Sequence, residues 1–299
     1  MSAIRVRRPV AETGLYNRWI LGAASVCRRY QLTPEQAFDF ITDGAAVCGR
    51  HVGQREIREA IQTAYGKPIN GATKSARVEV PAYDPGFLAR FASRVKEDVT
   101  REWLAEKSIA PLPATPSGYL DAVFAPGDVV FATVNKKSKG GYLYHVGDPI
   151  EAEELNEFSA NNKDGCWYLS NAVTGTVIND SVRSEPNLTS FRHAVMESDV
   201  APTDLWLKAI VQLHLPIVAI YTSGNRSIHA LFRTEATSKT EFDQIVRVKL
   251  LPQLALIGAD PGALTAVRLT RLPCVTRRDN GKRQELIYIK PSATSEPIL

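Results

Sequence analysis

Cysteine patterning of the zinc or disulfide kind is missing from this chain. Cys27, Cys48, Cys166 and Cys274 are scattered. None forms a CxxC pair, and none stands with two of the five histidines at zinc-ligand spacing. Reduced thiols and no structural zinc are therefore expected. No apolar run approaches the roughly 18–20 residues of a membrane span. The opening segment "MSAIRVRRPVAETG" is basic but lacks the apolar stretch of a signal peptide, which points to the cytoplasm and away from a membrane. No GxxxxGK[ST] phosphate loop is present, so any helicase working with this chain is expected to be a separate protein. Internal repeats and low-complexity segments are also absent. The net charge is only +4, too small by itself to require a polyanionic partner.

What remains is an ordinary globular composition: 299 residues, 44% hydrophobic and 23% charged, enough for one large domain or two smaller ones. The first third reads as helical. "QLTPEQAFDFITDGAAVCG" opens on a capping box, with Thr33 as N-cap, Pro34 at N1 and Gln36 at N3. "GQREIREAIQTAYGKP" sets Ile57, Ala60, Ile61 and Ala64 on one face and stops at Gly66-Lys67-Pro68. Residues 67–80 are polar and aperiodic, which suits a linker, and a longer helix is predicted over 84–108. From about 118 the pattern becomes strand-like. A hairpin carries "NKKSKGG" at its tip, and "GCWYLSNAVTG" suggests another strand pair.

The last hundred residues have the clearest rhythm. "SFRHAVMESD" reads as a strand. "PTDLWLKAIVQLH" reads as a helix with Leu205, Trp206, Ala209, Ile210 and Leu213 inward. "PIVAIYTS" and "SIHALFR" form a hairpin. "SKTEFDQIVRVKLLPQLALIG" is a helix capped by Ser238 and Glu241, disturbed at Pro252 and stopped by Gly258, and "QELIYIK" is a final strand. The order β-α-β-β-α-β predicts an α+β fold: an N-terminal helical region followed by a split βαβ, ferredoxin-like sheet whose inner strands lie side by side. The expected divisions are 1–75 (helical domain), 76–110 (linker and connecting helix) and 111–299 (main domain).

Three clusters have residue types suited to chemistry. Glu197 and Asp199 stand two apart at the end of a strand, so both carboxylates share a face. Two such acids either hold a hard divalent cation such as Mg²⁺ or Mn²⁺ or form an acidic turn in solvent. Ser227 and His229 likewise share a face, just after the turn Ser223-Gly224-Asn225-Arg226, whose N–H groups suit an anion. They read either as phosphate ligands or as a core histidine beside a surface turn. Arg268 and Arg271 precede the basic turn of Arg277, Arg278, Lys282 and Arg283. With Lys136, Lys137 and Lys139 of the hairpin tip they suit phosphate or template contacts, or are solvated charge. In a split βαβ sheet the acidic pair and the Ser/His pair would share one cleft, an arrangement fit for two-metal nucleotidyl transfer.

At this point the chain resembles the archaeo-eukaryotic primase superfamily, particularly the primase-polymerase-like proteins of phages and mobile elements, over about residues 180–291. "RSEPNLTSFRHAVMESD", with Arg183, is similar to motif I. "SGNRSIHALFRTEA" is similar to motif II, and "ADPGALTAVRLTRLPCVTRR" with "GKRQELIYIK" to the motif III region. The resemblance implies a catalytic domain over 111–299 that makes or extends primers on single-stranded DNA from NTPs or dNTPs. It implies that Glu197 and Asp199, with Asp260 as the third acid, bind Mg²⁺ or Mn²⁺. Ser223, Gly224, Ser227, His229, Arg268 and Arg271 would bind the nucleotide. Thr265 stands where some relatives place a carboxylate. Cys274 follows Leu-Pro where glycine is usual, so a turn of altered shape is expected. The alternative is a non-catalytic replication-initiator module of primase-like fold that grips single-stranded DNA through its basic loops.

Overall fold

The computed structural model describes residues 15–29, 32–46, 53–66, 78–109, 111–138, 140–160, 162–178 and 180–299. The chain divides into two compact units, Met1–Arg77 and Val78–Leu299. The described part is α+β, and no helix in it is long and apolar enough to cross a membrane.

The described residues of the first unit form three packed helices, α1 (Leu15–Arg29), α2 (Pro34–Ala46) and α3 (Gln54–Gly66). The predicted capping box is present. Thr33 Oγ1 accepts from Gln36 N–H (3.2 Å), and Gln36 Oε1 accepts from Thr33 N–H (2.9 Å). Ile57, Ile61 and Ala64 of α3 are buried against Ile20, Ala24, Cys27 and Ile41. Their spacing of four and three residues makes one helical stripe.

The second unit begins with α4 (Pro85–Ala92) and α5 (Arg101–Glu106). These correct the single helix expected over 84–108. Thr100 Oγ1 accepts from Trp103 N–H and starts a new helix, after the first has ended at Ser93. Leu88 and Leu104 are fully buried in the main core, which anchors both helices in this unit. There follow α6 (Pro116–Val123), β1 (Val129–Thr133), β2 (Tyr142–His145), α7 (Pro149–Ala160), β3 (Trp167–Leu169), β4 (Phe191–Glu197), α8 (Thr203–Gln212), β5 (Ile217–Thr222) and β6 (Ile228–Ala236). The next helix changes register twice: α9 (Lys239–Phe242), a π-helical stretch (Asp243–Leu250) and α10 (Leu251–Leu256). Leu251 N–H reaches back to Val246 O, five residues away, immediately before Pro252, which has no N–H to donate. Gly258 ends the helix with φ +100°. β7 (Leu269–Arg271), β8 (Val275–Thr276), β9 (Arg283–Gln284) and β10 (Leu286–Ile289) complete the unit.

Two four-stranded antiparallel sheets result, β2-β1-β3-β7 and β10-β5-β6-β4, with β8-β9 as a separate ribbon. In the second sheet β4-α8-β5 encloses β6, and β6 with the following helix and β10 encloses β5, giving two interlocked split βαβ units. The expected adjacency of the first and third strands holds as β4-β6. β4, however, is an edge strand, and the inner pair is the hairpin β5-β6. One further expectation is corrected. The segment around 166–176 supplies one strand, β3, with Val173 bridging to Val129 and Leu188, not a strand pair. β7, in the Arg-Leu-Thr-Arg segment, joins the first sheet by pairing with β3.

Period-2 alternation gives the second sheet two buried faces. Ala194, Met196, Ala230 and Phe232 pack with Trp206, Ile210, Phe242 and Val246 of the helical layer. Val195, Tyr221 and Leu231 pack toward the first sheet with Tyr119, Tyr144 and Tyr168. Glu197 follows Val195 by two and His229 precedes Leu231 by two, so both belong to the face between the sheets.

Candidate active site

Glu197 is the last residue of β4 and stands opposite His229 of β6, which in turn stands opposite Tyr221 of β5. Register therefore sets the carboxylate beside the imidazole, with Oε2 2.8 Å from Nδ1 and both side chains more than 90% buried. Oε1 is paired with the guanidinium of Arg268, which leads into β7. The same guanidinium donates to Gly262 O at 3.4 Å and lies 3.9 Å from Asp260 Oδ2. Asp260 N–H donates to Glu197 O at 2.8 Å, so the third acid is tied to the end of β4 by its backbone. Its Oδ1 accepts from Gly262 N–H, closing a local turn.

Beyond β4, the buried Ser198 hydroxyl accepts from Ala201 N–H at 3.0 Å and turns the chain. Asp199 is thereby left in solvent, its Oδ1 accepting from the Ser227 hydroxyl at 2.8 Å. The two residue pairs set two apart in sequence thus meet across the β4-β6 ladder, Glu197 with His229 and Asp199 with Ser227.

The turn Ser223-Gly224-Asn225-Arg226 is more closed than an open anion nest. Ser223 N–H donates to Ser227 O, and Gly224, at φ +69°, is packed under the 277–282 turn. A Cβ at Gly224 would lie 2.9 Å from Arg277 Cδ and 3.3 Å from Lys282 O, so glycine is required there. Asn280 donates to Gly224 O at 3.0 Å. The two turns form one rim.

Cations ring the acids. Lys136 lies 5.5 Å from the Trp167 ring centre, and Arg271, opposite Trp167 in the ladder, stacks on it at 4.0 Å. Arg183 Nη2 donates to Lys136 O at 2.7 Å. Lys136 is exposed as a residue, but its ammonium is held below its ordinary pKa, first by partial loss of water around it and then by Arg268 and Arg271, while Glu197 and Asp199 pull the other way. Arg271 falls to about 10, by burial and then by Arg277, against Asp164, Asp279 and Glu197. Cations this close to one another make a site that favours an added anion.

The other basic candidates divide. Arg277 is paired with Asp279 at 2.6 Å, and Arg278 and Lys282 are on the same exposed turn. Lys137 is exposed on the β1-β2 hairpin. Arg283 is directed elsewhere, donating to Ala114 O at 2.8 Å. Lys139 lies outside the described residues. Cys274 has a φ of +69°, the left-handed region that glycine adopts without strain.

Glu197, Asp199 and Asp260 are hard oxygen donors of the kind Mg²⁺ or Mn²⁺ takes, so in chemical type they fit such a cation, and Arg268 lies between Glu197 and Asp260. Among the described residues no three His, Cys, Asp or Glu side chains converge as a ligand set in this arrangement. Glu197 has Arg268 and, when protonated, His229 as counter-charges, and Asp199 accepts a hydrogen bond from the Ser227 hydroxyl.

Those counter-charges set the acid behaviour of Glu197. Burial raises its pKa, but the hydrogen bond and charge of His229, then Arg268 and Lys136, outweigh burial and bring it down to about 2. A carboxylate that is more acidic in the folded state stabilises the fold above its ordinary pKa of 4.5, and that contribution disappears as pH falls from 4.5 toward 2. The expected size is about 3 kcal/mol. Urea unfolding of wild type and Glu197→Gln between pH 7 and pH 2 checks it. Wild type should lose stability more steeply over that interval, and parallel curves would refute the assignment.

No family model, characterised protein or solved structure matches this chain.

Proposed function

We propose that this chain is a template-directed nucleotidyltransferase of the archaeo-eukaryotic primase type, making or extending primers on single-stranded DNA. The observation that carries the reading is the Glu197–His229 pair. Strand register holds it between the sheets, with Asp199, Asp260, Arg268, Lys136 and Arg271 around it. Acids beside an anion-favouring ring of cations match the needs of phosphoryl transfer, where catalysis is positioning and charge stabilisation. When bound, Mg²⁺ or Mn²⁺ held by Glu197, Asp199 and Asp260 would neutralise charge developing on the phosphates and the attacking 3′-hydroxyl.

The protein's own groups supply the rest. His229, with Nδ1–H directed at Glu197, would as the imidazolium donate Nε2–H to a phosphate oxygen of the nucleotide. Arg268 and Lys136 add cationic donors, and the Ser227 hydroxyl stands beside Asp199. Arg183, Lys137 and the 277–282 turn offer positive charge to a template backbone.

A second reading, a non-catalytic single-stranded-DNA-binding module, is favoured by one observation: Glu197 is already neutralised by Arg268 and His229. Incubation of the full chain with single-stranded DNA, labelled NTPs or dNTPs, and Mg²⁺ or Mn²⁺ separates the two. Oligonucleotide products are expected. DNA binding without product under all of these conditions would leave the binding module.

A further inference from the structure

Thr270, in the middle of β7, is 1% exposed and matches no pattern by which a sequence would announce it. Its hydroxyl oxygen lies 3.0 Å from His229 Nδ1 and 2.9 Å from the Tyr221 hydroxyl. Tyr221 also lies against the imidazole, with ring centres 5.6 Å apart and planes 22° apart. Behind it the contacts continue, Tyr221 to Tyr168 at 3.4 Å and Tyr168 to Tyr119 at 2.7 Å, all between fully buried phenols. The string begins in α6, crosses both sheets and ends on the histidine.

A histidine ring turns about a broad, roughly two-fold torsion, so backbone position alone does not decide which nitrogen faces outward. A carboxylate only accepts, which assigns the hydrogen on Nδ1 to the contact with Glu197. Thr270 offers a second acceptor to that same hydrogen from the opposite sheet. Flipping the ring would lose both contacts and leave the Glu197 carboxylate and the Thr270 hydroxyl with one partner fewer in a buried site.

We propose that Thr270 is a positioning residue. With Tyr221 behind it, it locks the His229 imidazole with Nδ1 inward and Nε2 toward the nucleotide's phosphates. This rests on the reading of His229 as a phosphate-binding group. The catalytic acids are not its target, so its effect falls on nucleotide binding more than on turnover.

The test uses the full chain as Thr270→Val, Thr270→Ser, Tyr221→Phe and His229→Ala. It measures kcat and KM for primer extension, and the affinity for a fluorescent NTP. Thr270→Val keeps the volume but removes the hydroxyl. It should raise nucleotide KM and Kd about tenfold while kcat and template KM stay within about threefold. Thr270→Ser should return both constants to within about twofold of wild type. Tyr221→Phe keeps the ring and should raise KM about threefold, which supplies the measurement if the valine variant fails to fold. Wild-type constants in folded Thr270→Val, or no rescue by serine, would overturn the positioning role. Sensitivity to His229→Ala without sensitivity at Thr270 would sink this inference alone. A wild-type chain that binds no nucleotide, or binds it equally well as His229→Ala, would overturn the underlying reading and this inference together.

Discussion

Glu197→Gln and Asp199→Asn are each expected to lower template-dependent product formation by about a thousandfold, equivalent to about 4 kcal/mol of transition-state stabilisation. Both replacements keep shape while removing the negative charge. Affinity for single-stranded DNA should stay within about twofold, since a carboxylate does not attract phosphate. The double variant should be little worse than either single one, because groups that act as a unit do not contribute additively. Product formation and DNA affinity, measured on the same preparations, decide the matter. Either variant keeping a tenth of wild-type activity would remove that acid from the catalytic machinery.

The second large effect concerns stability. Arg268→Met keeps most of the apolar stem but removes the guanidinium from Glu197 and Asp260, so a buried carboxylate loses its second counter-charge. Unpairing of this kind costs about 2–4 kcal/mol, whereas removing both charges together costs much less. Glu197→Gln/Arg268→Met should therefore recover much of what Arg268→Met loses, with a coupling of about 2 kcal/mol in a double-mutant cycle from urea unfolding at pH 7. Additive losses would mean that the pair contributes nothing beyond its separate parts.

Much of this site was legible because it depends on local periodicity. "HAVMESD" and "SGNRSIHALF" each set a polar group at a strand end, and the strands prove to be neighbours with Glu197 opposite His229, although Asp199 lies beyond the end of β4 and does not share the buried face of Glu197. The capping box at Thr33 and the stop at Gly258 were legible for the same reason. Other parts depend on tertiary packing. β7 is three residues long, too short to show a period, and its sheet is chosen by pairing with β3 about a hundred residues earlier. Thr270 was invisible for that reason. Lys136 reads as one more lysine in a basic loop until the β1-β2 hairpin brings it beside Arg268. The break between α4 and α5 carried a signal in Thr100, a good N-cap, that helical periodicity on either side concealed. The π-helical stretch has no counterpart in residue pattern that would set it apart from an α-helix before Pro252.

The layout of the site has a consequence for how it comes into being. Lys136, Trp167, Glu197, His229, Asp260 and Arg268 come from six separate stretches of chain, gathered only when both sheets have closed. Neither the β5-β6 hairpin nor any other locally formed piece contains a working subset of them. Long-range pairing of this kind closes late and slowly during folding, typically over milliseconds to seconds. Binding competence should therefore return on refolding with the slowest phase seen by tryptophan fluorescence, with no partial recovery alongside the early formation of helix.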